Sequence, residues 1–225
     1  MKKVKKVLLL LLCAALLVGA TVAGTVAYLT DRDTVKNTFT VGQVYIELHE
    51  TGEQTRGDMS VGLDLHLLPG KPVEKDPTVT VNANSEPCYV RMKVTVNNPA
   101  KLAAAFEGLK YNGVHGNDLP YVTGGMFNLH LLVDGWDAEA WAFSSYADGV
   151  YEFRYVGQMA TNGIVPKSDT NTVLPDLFTS LTLPGEMTNE LIKNLEDVTI
   201  TVTAEAIQAD TFANADAAWA AFPVN

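Results

Sequence analysis

Apolar and polar residues alternate along much of this chain after Thr38. Phe39 and Val41 open the pattern, and Val44, Ile46 and Leu48 carry it through residues 43–49. It returns at 61–68, 78–81, 89–96, 127–133 and 150–156, and is strongest in Val198-Thr-Ile-Thr-Val-Thr-Ala-Glu-Ala-Ile207. Period two sends successive side chains to opposite faces, so each run predicts a β-strand. Turn residues bound the runs at Leu68-Pro69-Gly70, Asn97-Asn98-Pro99, Asp134-Gly135, Asp148-Gly149 and Leu183-Pro184-Gly185. Helical spacing occupies three short stretches. These are 99–109, with Pro99 near the first turn; 188–195, through Leu191, Ile192 and Leu195; and 213–222, where Asn214 or Asp216 caps an Ala-rich turn. Polar residues 49–60 and 160–171 read as exposed loops. Many short strands with sparse helices predict a mainly β chain, an antiparallel β-sandwich of jelly-roll type.

The first residues obey a different pattern. Lys2, Lys3, Lys5 and Lys6 precede an apolar run from Val7 to Val18, the order of a secretory leader. Small residues Gly19, Ala20, Ala23, Gly24 and Ala27 follow, and Thr25-Val26-Ala27 suits cleavage between Ala27 and Tyr28. The stretch from Val7 to Leu29 is almost uncharged and long enough to span a bilayer while uncleaved, so the expected membrane tie is the leader alone. Leu12 before Cys13 is too large for a lipid-attachment site, which makes Cys13 an apolar filler of the leader. The expected organisation is a removable leader at 1–27, an N-terminal arm and first strand at 28–40, and one domain with insertions at 41–225. At 47% hydrophobic content the chain can support a sizeable core.

Processing changes the charge and the cysteine count. The leader removes four lysines and no acid, so 16 Lys+Arg become 12 against 26 Asp+Glu, a net charge of −14. That balance opposes nucleic-acid binding, which needs a concentrated basic face. Cys88 alone of the two cysteines remains, so neither an intrachain disulfide nor a cysteine-based zinc cluster is available. Cys88 follows Pro87 at a strand start, where a small buried hydrophobe is the plain reading and a reactive thiol or intermolecular disulfide the sharper one.

The junction of leader and first strand is the most specific part of the chain. Gly24-Thr-Val-Ala-Tyr-Leu-Thr-Asp31, followed by Asn37-Thr-Phe-Thr-Val-Gly-Gln-Val44, resembles proteins of the TasA/camelysin family, which a SipW-type signal peptidase releases. The resemblance continues through Leu68-Pro-Gly-Lys-Pro-Val-Glu-Lys-Asp76, Pro87-Cys-Tyr-Val-Arg-Met-Lys-Val94 and Ile200-Thr-Val-Thr-Ala-Glu-Ala-Ile-Gln-Ala209; residues 101–181 match loosely. It implies a jelly-roll protein secreted by Gram-positive bacteria, some of whose relatives form fibres of the biofilm matrix. Other members are classified as camelysin-like metallopeptidases.

The expected role is therefore a non-enzymatic subunit of an extracellular matrix fibre or cell-surface layer. Its partners would be further copies of itself, other matrix proteins and the signal peptidase during export. The assembly arm is assigned to Tyr28, Leu29, Val35, Thr38, Phe39 and Val41, which leave the leader free to add a strand to a neighbour. The alternative is an ordinary N-terminal strand paired within its own domain.

No cofactor is expected, and the alternatives are thin. A zinc peptidase places two His at i and i+4 with a Glu between them; His49-Glu50-Thr51-Gly52-Glu53 has Glu in place of the second His, and His66, His115 and His130 stand apart. Calcium would use Asp31 and Asp33, or Asp134, Asp137 and Glu139, none at EF-hand spacing. No Gly-x-Ser-x-Gly elbow is present. Trp136, Trp141, Phe143, Tyr146, Tyr151, Phe153 and Tyr155 offer either a sugar-binding platform or core packing. Tyr151, Phe153 and Tyr155 share one face of a strand, which favours the core.

Overall fold

Two nine-residue strands dominate the centre of the molecule, Cys88–Val96 alternating throughout and Ile200–Gln208 alternating as far as Ala206. The computed structural model describes residues 43–51, 54–56, 59–61, 67–112 and 118–223. The expected leader, the cleavage pair Ala27 and Tyr28, and the arm through Val41 lie outside them. In chain order the strands begin with β1 (Ile46–His49), β2 (Gln54–Arg56), β3 (Met59–Val61), β4 (Pro72–Glu74), β5 (Thr78–Val81) and β6 (Cys88–Val96). Helix α1 (Pro99–Ala105) follows, then the short strands β7 (Lys110–Asn112), β8 (Asp118–Pro120), β9 (Val122–Thr123), β10 (Met126–Phe127) and β11 (Val133–Asp134). The remainder is β12 (Trp141–Ala147), β13 (Val150–Tyr155), β14 (Ile164–Val165), β15 (Thr172–Val173), β16 (Ser180–Thr182), α2 (Asn189–Lys193), β17 (Ile200–Gln208) and α3 (Ala215–Ala221). The fold is mainly β, with antiparallel sheets and few helices.

The largest sheet runs β12-β13-β6-β17, with β14 pairing β6 beyond the end of β13. Smaller sheets run β1-β5-β15 and β11-β16-β4. Strand β6 organises the core by alternation: Cys88, Val90, Met92, Val94 and Val96 enter one continuous apolar cluster with Val79, Val81, Phe106, Trp141, Leu177 and Leu181. Its other face carries Tyr89, Arg91 and Lys93. There Tyr89 joins a second cluster under α3 with Ala209, Ala218 and Trp219.

Local chemistry explains the connections. Asp148 and Gly149 have φ of 47° and 84°, the double left-handed geometry of a tight hairpin whose twist matches β12 and β13. A Cβ on Gly149 would meet the Val96 carbonyl oxygen at 2.6 Å, so only glycine fits. Helix α1 is capped by the Asn98 side chain, which accepts from the Lys101 N–H, and Pro99 occupies its first turn. Asn214 accepts from the Ala217 N–H and so is the cap of α3.

Three expectations need correction. The continuous strand over 127–133 is broken into β10, a 3-10 turn at Leu129–Leu131 and β11. Asn128 donates through its side-chain amide to the Pro120 carbonyl and to Thr123 Oγ1, which ends the strand, and Leu131 and Leu132 are both buried, as no alternating strand allows. The loop over 160–171 contains β14, whose Val165 is fully buried against β6. In addition, β2 and β3 pair within the expected loop 49–60.

Cys88 is fully buried, and desolvation pushes its thiol pKa up to about 12. The thiolate is therefore absent at ordinary pH. In protein beginning at Tyr28, Ellman's reagent at pH 8 is expected to find no reactive thiol in the native state and one after denaturation. Prompt reaction of the folded protein would contradict this placement of Cys88.

Candidate assembly edge

Among the described residues strand β17 is paired on one side only. Its register with β6 sets Ile200 opposite Val96 and Gln208 opposite Cys88. The flanking bonds, from the Asn97 N–H to the Thr199 carbonyl and from the Ala209 N–H to the Pro87 carbonyl, show that odd-numbered residues of β17 bond β6. The main-chain groups of residues 200, 202, 204, 206 and 208 therefore point away from the sheet, and no described strand pairs with them.

The side chains match this geometry. Ile200, Val202, Ala204 and Ala206 face the core and are only partly buried, while Thr201 and Thr203 are exposed on the opposite face. Glu205 on that face is tied to Arg91 and Lys93 at 2.6 and 3.0 Å. Edges that proteins protect carry bulges, prolines or lysines, and β17 has none of them. The opposite edge of the same sheet is protected: β12 has a register shift between Phe143 and Ser145. Strand β1 also presents an outer edge, since β5 takes one side of it. It passes within 8 Å of β17 at the Cα level but belongs to a different sheet.

Beside the start of β17 lies a half-open apolar groove of about 410 Å³. Leu102 and Phe106 of the α1 segment form one wall, Ile192 and Leu195 of the α2 segment another, and Leu181, Leu183 and Ile200 the remainder. Thr188 caps α2 through the Leu191 N–H, which fixes the helix over the groove. Lys75 reaches the groove with its charge matched by Glu50 at 2.5 Å, both side chains nearly buried. The edge and groove together have an extended shape: a row of amides that no described strand pairs, beside a pocket fit for a large apolar side chain.

The other candidate residues are dispersed. His49 lies 3.2 Å from Glu47, Glu50 is held by Lys75, and Thr51 donates through N–H and Oγ1 to Asp76 at 2.7 and 2.6 Å. Gly52, Glu53, His66, His115, Asp31 and Asp33 lie outside the described residues. The Asp134 carboxylate accepts from Ser180 Oγ and Thr182 Oγ1 at 3.0 and 2.9 Å, and Asp137 accepts from the Glu139 N–H. Among the described residues no three His, Cys, Asp or Glu converge to hold a metal ion. His130 packs beside Trp136, and desolvation lowers its pKa. Of the aromatic set, Trp141, Tyr151, Phe153 and Tyr155 are core residues, whereas Phe143 is 45% exposed. Among the described residues no helix is long and apolar enough to cross a membrane.

Sequence pattern finds β17 readily but not its open edge. The signal lies in the contrast between Thr201 and Thr203 outside and Ala204 and Ala206 inside, since small inward residues suit a row that is covered from only one side. The groove has no linear signature, because its walls come from five separate parts of the chain. The chain matches no family model, no curated protein and no solved structure.

Proposed function

We propose that this chain is a secreted structural subunit of an extracellular matrix fibre or cell-surface layer, assembled by adding the N-terminal arm of one copy to the β17 edge of the next. The observation that carries this reading is the nine-residue edge of β17, which no described strand pairs, beside an apolar groove. In this reading the described domain is a β-sandwich of jelly-roll type, and the leader through Ala27 keeps the arm at the membrane until a SipW-type peptidase frees Tyr28.

The arm has the matching pattern. Phe39 and Val41 alternate with Thr38 and Thr40, so a strand over these residues presents one apolar row and one hydroxyl row. The apolar row suits the groove, and burying a side chain of Phe39's size contributes about 2–3 kcal/mol. The main-chain groups of residues 200–208 supply the ladder. Each net hydrogen bond there contributes about 1 kcal/mol, so side chain and ladder are comparable and both are needed. The joint is heterologous, with donor and acceptor surfaces at different places on one subunit, so repetition gives an open filament. No catalysis is involved, and neither zinc nor calcium is required.

The test is negative-stain microscopy of protein beginning at Tyr28, of protein lacking residues 28–40, and of protein still carrying its leader. Filaments from the first alone are the expected result. Monodisperse particles in all three preparations would overturn self-assembly.

A further inference from the structure

A second feature lies at the β12 margin of the large sheet, on the face opposite α3, and it needs no assembly to operate. We infer that the cleft between β10, the 3-10 turn at Leu129–Leu131, Trp136 and the β12–β13 hairpin is a binding site for a quaternary ammonium group. The cleft has a volume of about 360 Å³, and Trp136, Phe143, Tyr151 and Phe153 line it together with Met126 and His130. That size lies within the range of small-molecule sites. Phe143 is 45% exposed and Phe153 6%, so the cleft deepens from the first ring to the second.

The rings are set at steep angles. Trp136 stands at 73° to Phe153 and Phe143 at 60°, with ring centres 5.8 and 5.7 Å from that of Phe153. Rings turned this way bound a space from several sides, and a cation within about 6 Å of their faces is attracted by each ring quadrupole. Their polar ends are engaged elsewhere. Trp136 Nε1 donates to the Trp141 carbonyl at 2.8 Å, and the Tyr151 hydroxyl donates to the Phe127 carbonyl at 2.7 Å. These bonds fix the rings in advance and leave the cleft a mostly carbon surface. A methylated ammonium has no N–H to satisfy and suits such a surface, whereas a primary ammonium brings three donors that would go unpaired. Phe143 reaches the mouth from the last regular position before the β12 bulge, the kind of irregularity that re-aims a side chain.

Charge is the independent observation that selects a cation. Every residue lining the cleft falls between Met126 and Phe153. The longer stretch 111–153 contains no Lys or Arg and six acidic residues. Glu152 is turned to the other face of the sheet and matched by Arg91 and Arg154. Asp134, Asp137 and Glu139 flank Trp136 at exposed positions. The surroundings are therefore negative, while the lining itself holds no carboxylate to form an ordinary salt bridge. His130, the one titratable base in the lining, is held neutral at ordinary pH by desolvation and does not repel a cation.

The test uses ¹H–¹⁵N spectra of protein beginning at Tyr28, in which the three indole signals are separate probes. Choline is titrated beside its neutral isostere, the alcohol with carbon in place of the ammonium nitrogen, and beside ethanolamine, which keeps the charge without the methyl groups. Choline is expected to move the Trp136 indole signal saturably and to leave that of Trp219, on the other face, in place. Both comparison compounds should bind about tenfold more weakly. Phe143→Leu keeps apolar bulk at an exposed position and removes the ring quadrupole, so choline should bind about threefold more weakly at an unchanged thermal midpoint. Co-sedimentation with phosphatidylcholine vesicles separates the two sources of such a group: capture that choline competes away assigns a lipid headgroup, and choline binding without capture assigns a free ligand. The inference is overturned if choline does not bind, if the neutral isostere binds as tightly as choline, or if Phe143→Leu binds choline as the parent does.

Discussion

Ala204→Pro is expected to abolish filaments while leaving the subunit folded. The argument follows from the alternation of the β6–β17 ladder. Even-numbered residues of β17 direct their N–H groups outward, so proline at 204 removes a donor that the isolated subunit does not use. Proline is tolerated in strands at such outward-facing edge positions, and the expected change in stability is about 1 kcal/mol or less. An incoming strand, in contrast, loses a ladder bond in its middle and meets the pyrrolidine ring where its own backbone must lie. Thr203→Pro is the control. Residue 203 pairs with Lys93, so proline there breaks the internal ladder and should destabilise the subunit by about 3 kcal/mol or more. Thermal unfolding and microscopy on both variants decide the matter. A folded Ala204→Pro protein that still forms filaments like the parent would show that the joint lies elsewhere, even if assembly itself is real.

The alternating pattern made β5, β6, β13 and β17 legible because each is buried on a regular face, and hydrophobic periodicity reports burial directly. It failed where another force decided the backbone. At 127–133, Asn128 turned an apolar run into a 3-10 turn by taking two side-chain hydrogen bonds. At β12, the bulge between Phe143 and Ser145 shifts the phase of the alternation, so the strand has no clean period to read. Polar residues 160–171 concealed β14, which is only two residues long and gains its place by pairing with Cys88 and Tyr89. The groove beside β17 was not legible at all. It is assembled from segments tens of residues apart, and only the topology brings Leu102, Leu181 and Ile192 into one place.

Arg91→Ala is expected to destabilise the domain by about 3–5 kcal/mol, the range for removing one partner from a buried ion pair. Arg91 is 7% exposed. It bonds Glu152 at 2.8 Å and Glu205 at 2.6 Å while its guanidinium lies 4.1 Å from the Trp219 ring centre and 5.1 Å from that of Phe222. Glu152 would keep Arg154 and Glu205 would keep Lys93, so the loss should fall at the lower end of that range. At about 2–4 °C per kcal/mol for a domain of this size, the thermal midpoint should fall by roughly 10 °C. Arg91→Lys separates charge from geometry: it retains the cation, but an ammonium cannot bridge two carboxylates and stack on an indole as a planar guanidinium does. It should therefore recover only part of the loss. A midpoint within about 2 °C of the parent for Arg91→Ala would mean that the pairs are as weak as ordinary surface salt bridges. Arg91 also joins the outer face of β17 to α3, so its removal should loosen the proposed assembly edge as well. Ala204→Pro reaches that edge without touching this network, and the difference separates a local loss of assembly from a general loss of the fold.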